Sequence, residues 1–237
     1  AGAFFAMEVI LLDFTLDAFA FVVLASVSAT VLSHHVLGEA LATSLPVLDL
    51  GGDTQLGWVA VLGLVGGAVG VGFSRCRYLM ADAARALLER LRVPAWGRPA
   101  LGGLVVGALL LAFPQTYGES EAVLDHILDG GYGAALLLGL VLIKILATCL
   151  TLAVGFTGGV FAPSLFIGGA LGAAFGLALV PGHPSAAAVF GVIGMGAVFT
   201  GAARAPITAV VLIIEMTGQY SLLLPLMPST VLATFMS

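Results

Sequence analysis

The chain has 237 residues, 60% of them hydrophobic and only 9% charged, with a formal net charge of −5. A soluble domain carries about a quarter charged residues, so this composition, with a mean hydropathy of +1.16, excludes a soluble globular fold and predicts an all-α integral membrane protein. The net charge says little about partners beyond the lipid bilayer; no nucleic-acid partner is expected.

In chain order, residues 1–12 form a short apolar segment bounded by Asp13 and Asp17, and a longer run at 18–37 closes on His34, His35 and Gly38. A loop at 39–53 carries Glu39, Asp49 and Asp53. From Thr54 to Phe73 the chain is apolar and glycine-rich, then continues to Arg92 as an amphipathic helix with Leu79, Ala83, Leu87 and Leu91 on one face. Pro94 and Pro99 turn the chain into a run at 100–113, and a polar stretch, 115–131, holds a short candidate helix at 120–129. Apolar segments follow at 132–154, 161–180, 184–202, 205–216 and 220–237. Several are shorter than the roughly 20 residues needed to cross a hydrocarbon core. Short segments broken by glycine and proline point instead to half-helices meeting near the midplane. The thirty-two glycines fit close helix packing. Cys76 and Cys149 suggest neither a disulfide framework nor a zinc site. No signal peptide or initiator methionine opens the chain, and a fragment cut at both ends is expected.

Six of the eight Lys and Arg residues (Arg75, Arg77, Arg85, Arg90, Arg92 and Arg98) fall in one connection. That makes the 75–98 loop cytoplasmic and the acidic stretches at 39–53 and 119–129 external. A faint repeat is also visible. Ala1–Glu8 and Thr208–Glu215 share a small-residue start, an apolar run and a closing glutamate.

The stretch Gly155–Pro163 (Gly-Phe-Thr-Gly-Gly-Val-Phe-Ala-Pro) lies between two long apolar runs, at a depth where lipid-surrounded chain should be helical. Non-helical backbone survives there only when buried in protein or lining a watery cavity. A fresh helix starts near Phe161, with Pro163 tolerated in its first turn. Free N–H groups at such a start, backed by the positive end of the helix dipole, make an anion site.

The region Lys144–Thr217 resembles the chloride-channel (CLC) family of anion channels and chloride/proton antiporters. Gly159-Val160-Phe161-Ala162-Pro163 is similar to that family's second-half filter motif, and Ser164–Gly172 continues it. Gly194-Met195-Gly196-Ala197, Arg204–Thr208 and Glu215-Met216-Thr217 follow in the same order. The resemblance extends loosely over the whole chain. It implies one transmembrane domain, an inverted repeat of tilted, broken and re-entrant helices, with 1–38 ending the first half and 54–237 forming the second. Gly158, Gly159, Val160 and Phe161 are then the anion-binding residues, the last two through their backbone N–H groups. The family's serine loop, gating glutamate and pore tyrosine would lie outside these residues. Chloride is the transported ligand and no cofactor is expected.

In proton-coupled members a second glutamate follows the one aligned with Glu8; here that position is Val9. An apolar side chain carries no proton. This favours a passive, voltage-gated-type chloride channel, with chloride/proton antiport as the alternative. An intramembrane hydrolase using Ser164 lacks a placed histidine; it and a non-conducting scaffold are distant readings. Glu8, Glu215 and Arg204 are possible supporting charges, with capping or pairing as the plainer role, and Lys144 could add positive potential near the pathway. The resemblance implies a homodimer through 1–37 and 205–237, in the plasma membrane.

Overall fold

In the absence of water, the backbone can satisfy its own polar groups only as helix or closed barrel, and these glycine- and alanine-rich apolar runs choose helix. The computed structural model describes residues 1–12, 15–37, 53–94, 97–118, 121–180 and 183–237, all in helices and short connections. The stretch 39–52, most of the expected first acidic loop, lies outside the described residues, as do Asp13 and Gly38.

The helices are α1 (Gly2–Phe5, continued by a π-helical stretch Ala6–Leu11), α2 (Leu16–Leu37), α3 (Asp53–Arg90), α4 (Arg98–Ala112), α5 (Glu121–Leu128), α6 (Ala134–Ala153), α7 (Phe161–Leu179), α8 (Pro184–Ala203), α9 (Pro206–Thr217) and α10 (Leu223–Met236). Prolines at the starts of α4, α8 and α9 mark where each helix begins. Gly218, in the left-handed region at φ 66°, closes α9.

The basic stretch is helical for most of its length, in line with the expected extension to Arg92: α3 is one helix of 38 residues through Arg90. At 1.5 Å per residue it is about 57 Å long, far more than the roughly 30 Å of a hydrocarbon core, so it must tilt or project. The leucine stripe faces away from the protein. Leu79, Leu87 and Leu91 are exposed, whereas Leu88 is buried. Lipid is as apolar as leucine, so nothing drives such residues into the protein.

The centre is the antiparallel pair α7 and α8. Of their apolar windows 67% and 83% is buried, against none of α2's. Their backbones touch: a Cβ placed on Gly168 would stand 2.4 Å from Gly194 O, and one on Gly172 only 2.0 Å from Phe190 O. The small-xxx-small spacing of Gly168, Gly172 and Gly176 therefore brings main chain against main chain, where van der Waals contact replaces the missing hydrophobic drive. α3 crosses α8 in the same way, with Gly70 against Val198 O and the Ser74 hydroxyl donating to Ala202 O at 3.0 Å. The result is a rigid platform that fixes where α7 begins.

Candidate anion site

The approach to α7 is set by how α6 ends. Gly155 takes φ 97°, and the N–H groups of Gly155 and Phe156 donate back to Leu152 O and Thr151 O at 3.2 and 3.3 Å. This six-to-one and five-to-two pattern is a Schellman stop, which needs glycine at its left-handed position. The chain then runs through exposed Phe156–Gly159 to Val160, and Phe161 opens α7.

No side chain caps that start. The first helical bond is Ser164 N–H to Val160 O at 3.1 Å, so among the described residues the N–H groups of Val160, Phe161 and Ala162 have no protein acceptor. Pro163 has no N–H to offer. The positive end of a 19-residue helix dipole thus faces outward through its own donors. Phe161 is held by edge-to-face contacts with Phe5 of α1 (5.6 Å) and Phe199 of α8 (5.3 Å). The buried Ser164 hydroxyl donates to Phe161 O at 2.6 Å.

Two cavities meet at Gly159. One, of about 310 Å³, is lined by Gly158, Gly159, Pro163, Lys144, Thr148 and Thr116, among others. The other, of about 350 Å³, is lined by Gly159, Val160, Phe161, Val9, Arg77 and Ala203, among others. Among the described residues Gly159 is the only one the two linings share. Gly158 through Phe161 therefore form the wall between two spaces whose remaining walls come from different helices, α4 and α6 for the first and α1, α3 and α8 for the second. Val9 stands in the second of them.

Lys144, buried in α6, donates from Nζ to Thr116 O (2.9 Å) and Gly118 O (2.8 Å) and lies 4.8 Å from the centre of the Phe166 ring. Its charge is fixed at the edge of the first cavity. The other expected supporting charges are placed elsewhere. Glu8 accepts from Ile207 N–H (3.2 Å), Thr208 N–H (2.7 Å) and the Thr208 hydroxyl (2.6 Å), capping α9. Glu215 lies against the main-chain nitrogen of Ala1. Arg204, left-handed at φ 58°, ends α8 and donates to Ser237 O at 2.7 Å rather than to a glutamate. None of the three lines either cavity. One start is thus closed by a carboxylate, that of α9, while that of α7 is left open.

The sequence reading missed Arg77 in the second cavity and the ring partners Phe5 and Phe199. It treated Arg77 as part of a topological charge run. Its helical register is the signal that would have found it: Gly70, Ser74 and Arg77 share one face of α3, and the first two touch α8.

A family model described as voltage gated chloride channel matches residues 1–237. The chain belongs to that family. Its relatives include the chloride channel protein CLC-e of Arabidopsis thaliana, 34% identical over 252 residues covering 96% of this chain and 36% of the relative. The H(+)/Cl(−) exchange transporter ClcA of Vibrio cholerae is also 34% identical, over 95% of this chain and 49% of the relative. Among solved structures, a slow cyanobacterial Cl−/H+ antiporter superposes with a TM-score of 0.77 at 26% identity, over 94% of this chain and 52% of the other. A CLC-type fluoride/proton antiporter gives 0.80 at 24% identity, over 98% of this chain and 56% of the other, and shows the fold alone. The chain spans between about a third and a half of the length of these curated relatives.

As a member of the voltage gated chloride channel family, the protein has the expected all-α, CLC-like fold and is an integral, multi-pass membrane protein. Five of its described helices are long and apolar enough to cross a bilayer.

Proposed function

We propose that the protein moves chloride across a membrane, and that Gly158–Phe161 is one wall of its anion path. The observation carrying this is the uncapped start of α7, with its free N–H groups on the wall between two cavities. Main-chain dipoles stabilise a partly dehydrated anion without the full charge that would hold it too tightly to leave. Lys144 raises the potential on one side. Transport needs no cofactor beyond the ion itself, and no enzymatic step.

On coupling, we favour chloride/proton exchange over the passive channel that Val9 suggested from the sequence. Relatives named as exchangers support it, both ClcA and the cyanobacterial antiporter. The second reading, passive conduction, keeps one specific support: Val9 puts an apolar side chain in the cavity beside the filter. Full-length protein in liposomes separates the two. Chloride driven uphill by an imposed proton gradient establishes exchange; chloride flux with no accompanying proton movement establishes a channel. No chloride flux at all refutes the proposal.

We further propose an inverted repeat of 1–38 and 54–237, and a homodimer in the plasma membrane through 1–37 and 205–237, with the 75–98 side cytoplasmic. The contact of α1 with α9, with the Glu8 carboxylate at the start of α9, supports the repeat. The exposed apolar faces of α2 and α10, with Phe21, Leu24, Leu224 and Phe235, leave room for a second copy in place of lipid. Cross-linking in native membranes tests it.

A further inference from the structure

Besides Ser164 and the main chain of Gly159–Phe161, the cavity of about 350 Å³ beside Val160 and Phe161 is walled by the apolar side chains of Phe5, Val9, Phe199, Ala202 and Ala203. Of the described residues that line it, Arg77 carries the only charge. Its place follows from α3. Gly70 packs against the α8 backbone and Ser74 is hydrogen-bonded to Ala202 O; Arg77, seven residues after Gly70 on the same face, comes where α8 ends and the cavity begins. The guanidinium rests over the Tyr78 ring at 4.7 Å and donates from Nη2 to the Tyr78 hydroxyl at 3.0 Å. That uses one of its five N–H donors. Among the described residues no carboxylate lies within salt-bridge distance of it.

We propose that Arg77 forms a second anion subsite, which collects a small monovalent anion in this cavity and hands it to the open N–H groups of Val160 and Phe161. The inference rests on the transport reading above and adds to it a named residue and a side. Two features suit the role. A guanidinium is always charged, so the subsite is occupied-competent at every physiological pH. Held on Tyr78 at the wall rather than at the filter, it attracts the ion without clamping it, as multi-site conduction requires. The same charge could instead serve only the carbonyl end of α8, as a helix-end partner. The two roles differ in what they do to ion binding.

The test is chloride flux through the full-length protein, with chloride varied on one face at a time. R77Q should raise half-saturation about three- to tenfold on one face only, the size expected of one unit charge several ångströms from an anion in a partly desolvated site. Half-saturation on the other face should be unchanged, and flux at subsaturating chloride should fall equally in both directions, as microscopic reversibility requires. R77K should restore most of the affinity, and the difference between wild type and R77Q should shrink as an impermeant salt raises ionic strength. An R77Q protein with wild-type half-saturation on both faces overturns the subsite alone. So does an equal rise on both faces, or an R77K protein as impaired as R77Q, either of which marks a packing role. A wild-type protein that moves no anion overturns the transport reading and the subsite with it.

Discussion

Replacing the Phe161 amide by an ester isolates the donor on which the anion site rests. The substitution, made by incorporating the α-hydroxy analogue of phenylalanine in the full-length protein, deletes one N–H and keeps the ring. Phe161 therefore retains its contacts with Phe5 and Phe199. A hydrogen bond from a neutral donor to a charged acceptor is worth about 1.5–3 kcal/mol, so chloride affinity should fall about 10- to 150-fold. Calorimetric titration with chloride reads this directly, and half-saturation of flux reads it independently. The ester also weakens the Val160 carbonyl, which accepts from Ser164 N–H. An ester at Ser164 breaks that same helix bond from the other end without touching a donor at the mouth, and serves as the control. Its effect on chloride affinity should stay below about twofold, because the helix bond is far weaker than a bond to an ion. Equal losses in the two esters, or no loss at Phe161, would refute the assignment of this N–H to the ion.

Three further outcomes follow from the packing and the fixed charges. Gly172→Val should lower stability by about 2–4 kcal/mol, since even its Cβ would stand 2.0 Å from Phe190 O; Gly139→Ala, with nothing within 4 Å, should be neutral or stabilising in the same thermal unfolding assay. Glu8→Ala strips three hydrogen bonds from the start of α9 and should cost about 1–3 kcal/mol. Glu8→Gln, which keeps an acceptor oxygen, should cost less than half as much, and equal losses would argue against a capping role. Lys144→Met should reduce chloride flux about three- to tenfold by removing a fixed positive charge beside Gly158 and Gly159; unchanged flux would make Lys144 a purely structural tie to Thr116 and Gly118.

The sequence by itself determined the helices. Apolar length and proline or glycine punctuation are local properties, so the expected segment at 161–180 is α7 at Phe161–Leu179, and that at 205–216 is α9 at Pro206–Thr217. It also located the break at Gly155–Pro163, because a left-handed glycine and a helix-starting proline act within one turn of chain. Tertiary structure decided which faces turn inward. In lipid the apolar pattern carries no such information, which is why Leu79 and Leu87 proved exposed while Leu88 is buried. It also assigned the charges. Glu8 finds α9 across 200 residues of sequence, and Arg77 leaves the basic run for a cavity wall. Contacts between helices depend on backbones that approach through glycine, at Gly70, Gly168 and Gly172, and only the assembled bundle fixes those approaches. The open start of α7 was legible as a break in the chain; that it stands between two cavities, with a cation at each, was not.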